Sequence, residues 1–157
     1  MISKTMIFEE VALALQGSDM TQEQIRQRVE DTLKVCGLYP FRNWPISALS
    51  FGQKKRVTIA SVLVQQPELI ILDEPTVGLD PAQMIEIRNL IRELGKAHTV
   101  ILSSHILSEV KAVCDKALIL SQGHLAAVVD LAAEERDLEE LFLELTAPEE
   151  TSDKKED

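Results

Sequence analysis

The chain has 157 residues, is 45% apolar and only 4% aromatic, and carries a formal net charge of −10. That length suffices for one domain with its own core, and no apolar run reaches the roughly 18 residues that cross a bilayer. The charge is uneven: eleven acidic and three basic residues from Leu131 on give −8, and thirteen basic against fifteen acidic before it give −2. A near-neutral body with an acidic tail lacks the basic patch of a nucleic-acid surface, so no nucleic-acid partner is expected. Glu9 and Glu10 interrupt the only stretch that resembles a signal peptide, so none is expected. Cys36 and Cys114 form no CxxC pattern and read as reduced core or helix-end thiols.

In chain order, Met1 to Leu15 reads as a short lead and a helix. Thr5 is its expected N-cap, and Ile7, Val11 and Leu15 share a face. After the break at Gly17, Thr21 opens a second helix with Gln24 completing a capping box. Ile25, Val29, Leu33 and Cys36 form its apolar stripe, and Gly37 stops it. Leu38 to Leu49 holds Pro40 and Pro45 and is expected to be a loop. Trp44 in it reads as a packing anchor in preference to a partner contact.

Gly52 to Gln65 reads as a third helix with Val57, Ala60, Leu63 and Val64 inward. Lys54, Lys55 and Arg56 crowd its first turns against the helix dipole. Three cations there point to anion attraction above a merely solvated face. Leu69 to Leu72 is an apolar strand, expected to be buried on both faces. Asp80 and Pro81 open a further helix lined by Ile85, Ile87, Leu90, Ile91 and Leu94. A buried strand (Thr99 to Leu102), a helix (Ile106 to Cys114) and a strand (Ala117 to Leu120) follow. Gln122-Gly123 then turns a hairpin into Leu125 to Val129. Leu131 to Leu145 reads as the last helix, and the segment from Ala147 on as a disordered acidic tail. Strand–helix alternation implies parallel pairing with right-handed crossovers.

Two features carry chemistry. Ser50-Phe51-Gly52 sits where a loop enters a helix, and a helix N-terminus offers unpaired N–H groups and a positive dipole end. Gly52 would let the backbone approach a phosphate, and the Ser50 hydroxyl would add a donor. The apolar strand ends in Asp73 and Glu74, at the carboxyl end where open α/β sheets bind ligands. One carboxylate there suits a metal or its water, and the other a proton from a nucleophile. Alone, an Asp-Glu pair after a strand is as readily an ordinary loop.

Four motifs in order resolve that ambiguity. LSFGQKKR (Leu49 to Arg56) resembles the signature of ABC-type ATPases, usually LSGGQ. LIILDEPT resembles their Walker B strand, VGLD their D-loop, and Ser103-Ser104-His105 their switch histidine. The likeness runs from about Met1 to Thr146. It implies ATP and Mg2+ as cofactors, with Asp73 orienting the metal shell, Glu74 polarising the attacking water, and His105 sensing the γ-phosphate. It implies that Leu49, Ser50, Phe51, Gly52, Gln53 and Asp80 serve nucleotide held by a second ATPase subunit in a head-to-tail dimer. It also implies a transmembrane transporter subunit as partner and a place on the cytoplasmic face of the membrane. Phe51 stands where the family usually has glycine, so its side chain must point away from nucleotide. His98 and His124 read as structural.

No GxxxxGK followed by Ser or Thr occurs, and the only Gly-Lys pair is Gly95-Lys96. The expected fold class is therefore α/β, a partial P-loop NTPase (RecA-like) core with a mostly parallel sheet plus a helical signature subdomain. The expected divisions are a helical part over 1–66 and the second half of a nucleotide core over 67–146. The first part is similar to energy-coupling-factor ATPases, and the part from Pro75 on to ATPases of ABC-2 type exporters. The leading expectation is a truncated ATP-binding component of an ABC transporter. A non-catalytic module lending its signature in trans, and an inactive fragment, stay open beside it.

Overall fold

The computed structural model describes residues 5–147. The expected acidic tail therefore lies outside the described residues, apart from Ala147, the C-cap of the last helix. Two compact units divide the chain after Ser104.

The first unit contains α1 (Ile7–Leu13), α2 (Gln22–Val35), α3 (Phe51–Leu63), β1 (Leu69–Leu72), α4 (Pro81–Leu94) and β2 (Thr99–Leu102). Local sequence accounts for most helix starts. Thr21 accepts from the Gln24 N–H while the Gln24 side chain accepts from the Thr21 N–H, the reciprocal box that its spacing implies. Asp80 caps α4 through the Gln83 N–H at 2.9 Å, with Pro81 in the first turn. The cap expected at Thr5 is instead Met6, without a side-chain cap. The α1 amides of Ile7 and Phe8 donate to the Trp44 and Arg42 carbonyls across the loop, so α1 needs no hydroxyl there. That loop contains two 3-10 turns, Tyr39–Phe41 and Ile46–Ala48. Trp44 packs edge-on to Phe41 at 5.2 Å, yet is 48% exposed, so its backbone anchors more than its ring does.

Ile7, Val11, Val29, Leu33, Leu38 and Val64 are almost fully buried where α1, α2 and α3 meet. Each contributes about 1.5–3 kcal/mol of burial. Leu90, Ile91 and Leu94 bury the inner face of α4 together with Ile87, whereas Ile85, expected in that stripe, is exposed. β1 and β2 pair in parallel, Leu69 against Thr99 through Leu72 against Leu102, as the strand–helix alternation implies. Burial on both faces does not hold. Ile70 is buried, but Ile71 is 71% exposed, Leu69 47% and Ile101 46%. The described sheet has two strands here, and one face of them is covered.

The second unit contains α5 (Leu107–Val113), β3 (Lys116–Ser121), β4 (His124–Asp130) and α6 (Leu138–Thr146). Here β3 pairs antiparallel with β4, in a sheet separate from β1 and β2, so the expected parallel pairing stops at β2. Gln122 and Gly123 both take positive φ (50° and 81°), the turn that two-residue hairpins favour. Ala117, Ile119, Val129, Leu138 and Leu141 make the core of this unit. The last helix starts at Leu138 rather than Leu131. The Asp130 and Glu134 side chains accept from the N–H groups of Ala132 and Arg136 and so divert them from helical bonding. Asp137, which accepts from the Glu139 N–H, caps the helix that begins after it.

Candidate functional site

α3 is the axis of the site. Ser50 is its N-cap: the Ser50 Oγ accepts from the Gln53 N–H at 3.2 Å, and the Gln53 Oε1 accepts from the Ser50 N–H at 2.9 Å. The spacing Ser-x-x-Gln is a capping-box signal, and it was legible beside the phosphate reading of the same two residues. Capping occupies one Oγ lone pair. The hydroxyl hydrogen remains able to donate, since a serine carries one donor and two acceptor positions. Among the described residues the N–H groups of Phe51 and Gly52 have no hydrogen-bond partner.

Gly52 has a packing role that the sequence did not reveal. A Cβ built on it would lie 2.9–3.0 Å from the Gln83 side chain of α4. The close approach it permits is between two helices, whatever else reaches its amide. Phe51 is 55% exposed, and its ring edge lies 3.1 Å from where Gly78 would carry a Cβ. Gly78 has φ +79°, so both its conformation and this contact exclude a side chain. Phe51 therefore turns onto the VGLD loop of its own chain, consistent with the requirement that it leave the helix end clear. Leu49, expected among the nucleotide-facing residues, is buried beneath this end.

The acid pair follows β1. Asp73 is exposed and Glu74 partly buried. The Ser103 hydroxyl, from the end of β2, donates to the Asp73 Oδ1 at 2.6 Å and accepts from the Glu74 N–H at 2.9 Å. One hydroxyl thus fixes the carboxylate of one residue and the backbone of the next. No single-strand reading identifies this role for Ser103, because it depends on the β1/β2 register. Glu74 takes φ +44°, a left-handed conformation that costs a non-glycine residue about 1–2 kcal/mol. Such conformations persist where surrounding contacts enforce them.

The cationic cluster divides. The Lys55 ammonium donates to the carbonyl oxygens of Glu74 and Pro75 at 3.2 and 3.1 Å. Arg56 pairs with Glu86 of α4 at 3.0 Å and donates to the Cys36 carbonyl at 3.5 Å. Two of the three cations are thus engaged inside the fold, which corrects the expectation that all three attract an anion. Lys54 alone stays exposed. Asp80 spends one carboxylate oxygen on capping α4. His105 is exposed and opens the second unit. His98, read as structural, meets the Pro67 carbonyl at 2.7 Å. Burial pushes the Cys36 thiol up to about 12, against the opposing pull of Arg56, as suits an inert core cysteine.

The donor set can be tested against Mg2+. Among the described residues no group of three or more His, Cys, Asp or Glu could hold a metal. Magnesium, however, is commonly held by one or two carboxylates together with water and substrate phosphates. An exposed Asp73 with one carboxylate oxygen engaged by Ser103 fits such a minimal role.

Comparisons with known proteins find similar sequences and folds among components of ABC transporters. The profile of the family described as ABC transporter matches residues 2–77. A putative ABC transporter ATP-binding protein of Clostridium perfringens (strain 13 / Type A) is 53% identical over 128 residues. Another, of Enterococcus faecalis (strain ATCC 700802 / V583), is also 53% identical over 128 residues. These alignments take in 81% of this chain but 22% of each relative, so the chain spans under a quarter of their length. Among solved structures, cbiO1 from Clostridium perfringens, described as part of the ABC transporter complex cbiONQ, superposes with TM-score 0.77 at 35% identity. That match covers 82% of this chain and 52% of cbiO1. An inward-facing putative metal-chelate type ABC transporter gives TM-score 0.74 over 84% of this chain and 55% of its own; at 22% identity it speaks for the fold alone.

Proposed function

The chain belongs to the ATP-binding family of ABC transporters, and from that premise we propose that it supplies the signature helix and the acid-bearing strand of a composite ATP site coupled to transport. The observation that carries the reading is the joining of α3 to the turn after β1: Phe51 rests on Gly78, and Lys55 binds the carbonyls of Glu74 and Pro75. One junction thus bears both the helix end suited to a phosphate and the acid suited to a water.

In this reading the Ser50 hydroxyl and the Phe51 and Gly52 amides donate to the terminal phosphate of ATP held by a second ATPase subunit. Glu74 orients and polarises the attacking water. Asp73, held by Ser103, would be the residue to hold a magnesium ion through its water, and that ion when bound would neutralise phosphate charge. His105, in the second unit, stays a candidate for sensing phosphate, and Asp80 keeps α4 capped beneath the VGLD loop. A transmembrane subunit would receive the motion, with the chain on the cytoplasmic side. Among the described residues no helix is long and apolar enough to cross a membrane.

The sequence contains no phosphate-cradling GxxxxGK motif, so the chain by itself is expected to show no appreciable Mg-ATPase activity. The test mixes it with a P-loop-bearing ABC ATPase subunit whose own signature serine has been disabled. Recovered hydrolysis that disappears with Ser50→Arg is the expected result. Each hydrogen bond to a charged phosphate is worth about 1.5–3 kcal/mol, so losing two or three abolishes capture. Equal behaviour of the native and Ser50→Arg chains would refute the reading, as would turnover by the chain alone.

A further inference from the structure

We propose that Lys55 is a positioning residue for Glu74: its ammonium, seated over the Phe51 ring, holds the left-handed Glu74 turn by two carbonyl oxygens and so ties the aim of that carboxylate to α3. Lys55 lies in the second turn of α3, where a lysine would ordinarily extend into water. It is instead partly buried, with its Nζ 5.5 Å from the Phe51 ring centroid and bonded to the carbonyls of residues 19 and 20 positions later. An ammonium brings three donors and no acceptor, so it serves consecutive carbonyls that converge, which is what the turn at Glu74 presents. Phe51 sits one turn before Lys55 and shields it while packing on Gly78. Its place where the family usually has glycine thereby gains a reason.

Glu74 is then gripped from both sides. Ser103 takes its N–H, and Lys55 takes its C=O. The same carbonyl also accepts from the Val77 N–H at 3.3 Å, which closes the turn. A non-glycine residue at φ +44° has no intrinsic reason to stay there, so the grip must supply it. A displacement of α3 would be transmitted to Glu74 through one side chain. The importance of Glu74 rests on the function proposed above, but the grip itself does not.

The experiment follows amide hydrogen exchange in the full chain, without nucleotide, for native, Lys55→Met and Lys55→Arg proteins. Methionine keeps the unbranched stem and removes every donor, whereas arginine keeps donors. The Val77 amide is expected to exchange about tenfold faster in Lys55→Met and to recover most of its protection in Lys55→Arg. The Val64 amide, bonded to the Ala60 carbonyl at the end of the same helix, should not change in either. Unchanged Val77 exchange in Lys55→Met would overturn the proposal. So would equal acceleration at Val77 and Val64, or a native Val77 already exchanging at the unfolded rate. Because no ATP is present, this outcome is separate from the Ser50 mixing experiment: either can fail while the other stands.

Discussion

At the scale of single residues, Arg56 shows how a motif residue can serve the fold. Its guanidinium connects three helices, reaching the Cys36 carbonyl at the end of α2 and Glu86 on α4 from its own place on α3. The side chain is 14% exposed, while Glu86 is 54% exposed. Solvent therefore weakens the ion pair, and most of the loss on truncation comes from the orphaned carbonyl and the emptied volume. Arg56→Ala is expected to lower stability by about 2 kcal/mol, read from denaturant midpoints. Arg56→Lys should recover only part of it, because an ammonium cannot reproduce the fork. A loss within about 0.5 kcal/mol for Arg56→Ala, the range of ordinary surface changes, would show the bridge to be incidental.

At the scale of elements, α6 makes a pH prediction. Its N-cap is Asp137, whose carboxylate accepts from the Glu139 N–H at 2.7 Å. That backbone bond chiefly, with smaller help from Lys111, holds the Asp137 carboxyl below its ordinary value of 3.8. Because the folded value is the lower one, the stabilisation is fully present above 3.8 and is lost as pH falls through the depressed value. The amide of Leu141, bonded to the Asp137 carbonyl, should lose protection in that acid range. Asp137→Asn keeps a capping oxygen but no charge and should flatten the response. An α6 equally protected at neutral pH and well below 3.8 would contradict the assignment. The same acidic caps explain why apolar spacing alone placed the start of this helix seven residues early.

At the scale of the whole molecule, the open face of the β1/β2 pair dominates. Leu69, Ile71 and Ile101 present apolar surface that no described residue covers, and contiguous patches of this kind drive association. Light scattering of the purified chain is expected to rise with concentration. Ile71→Lys should reduce that rise while barely altering stability, since the native side chain is already exposed. A native chain that scatters as a monomer throughout, with a sharp melt, would show that the face needs no cover.

The features that the sequence by itself determined are those closed within about four residues. The Thr21–Gln24 box, the Asp80 cap with Pro81, the Gln122-Gly123 hairpin turn and the acid pair at a strand end all follow from local spacing. So does the family likeness, because its motifs are short and their order is linear. Tertiary structure decided the rest. It set which face of β1 is covered, which of three adjacent cations reaches a partner, and why Gly52 must lack a side chain. It also brought Ser103 to Asp73, a pairing thirty residues apart in the chain. These outcomes depend on what lies opposite in space, and charge or hydropathy along the chain carries no record of that neighbour.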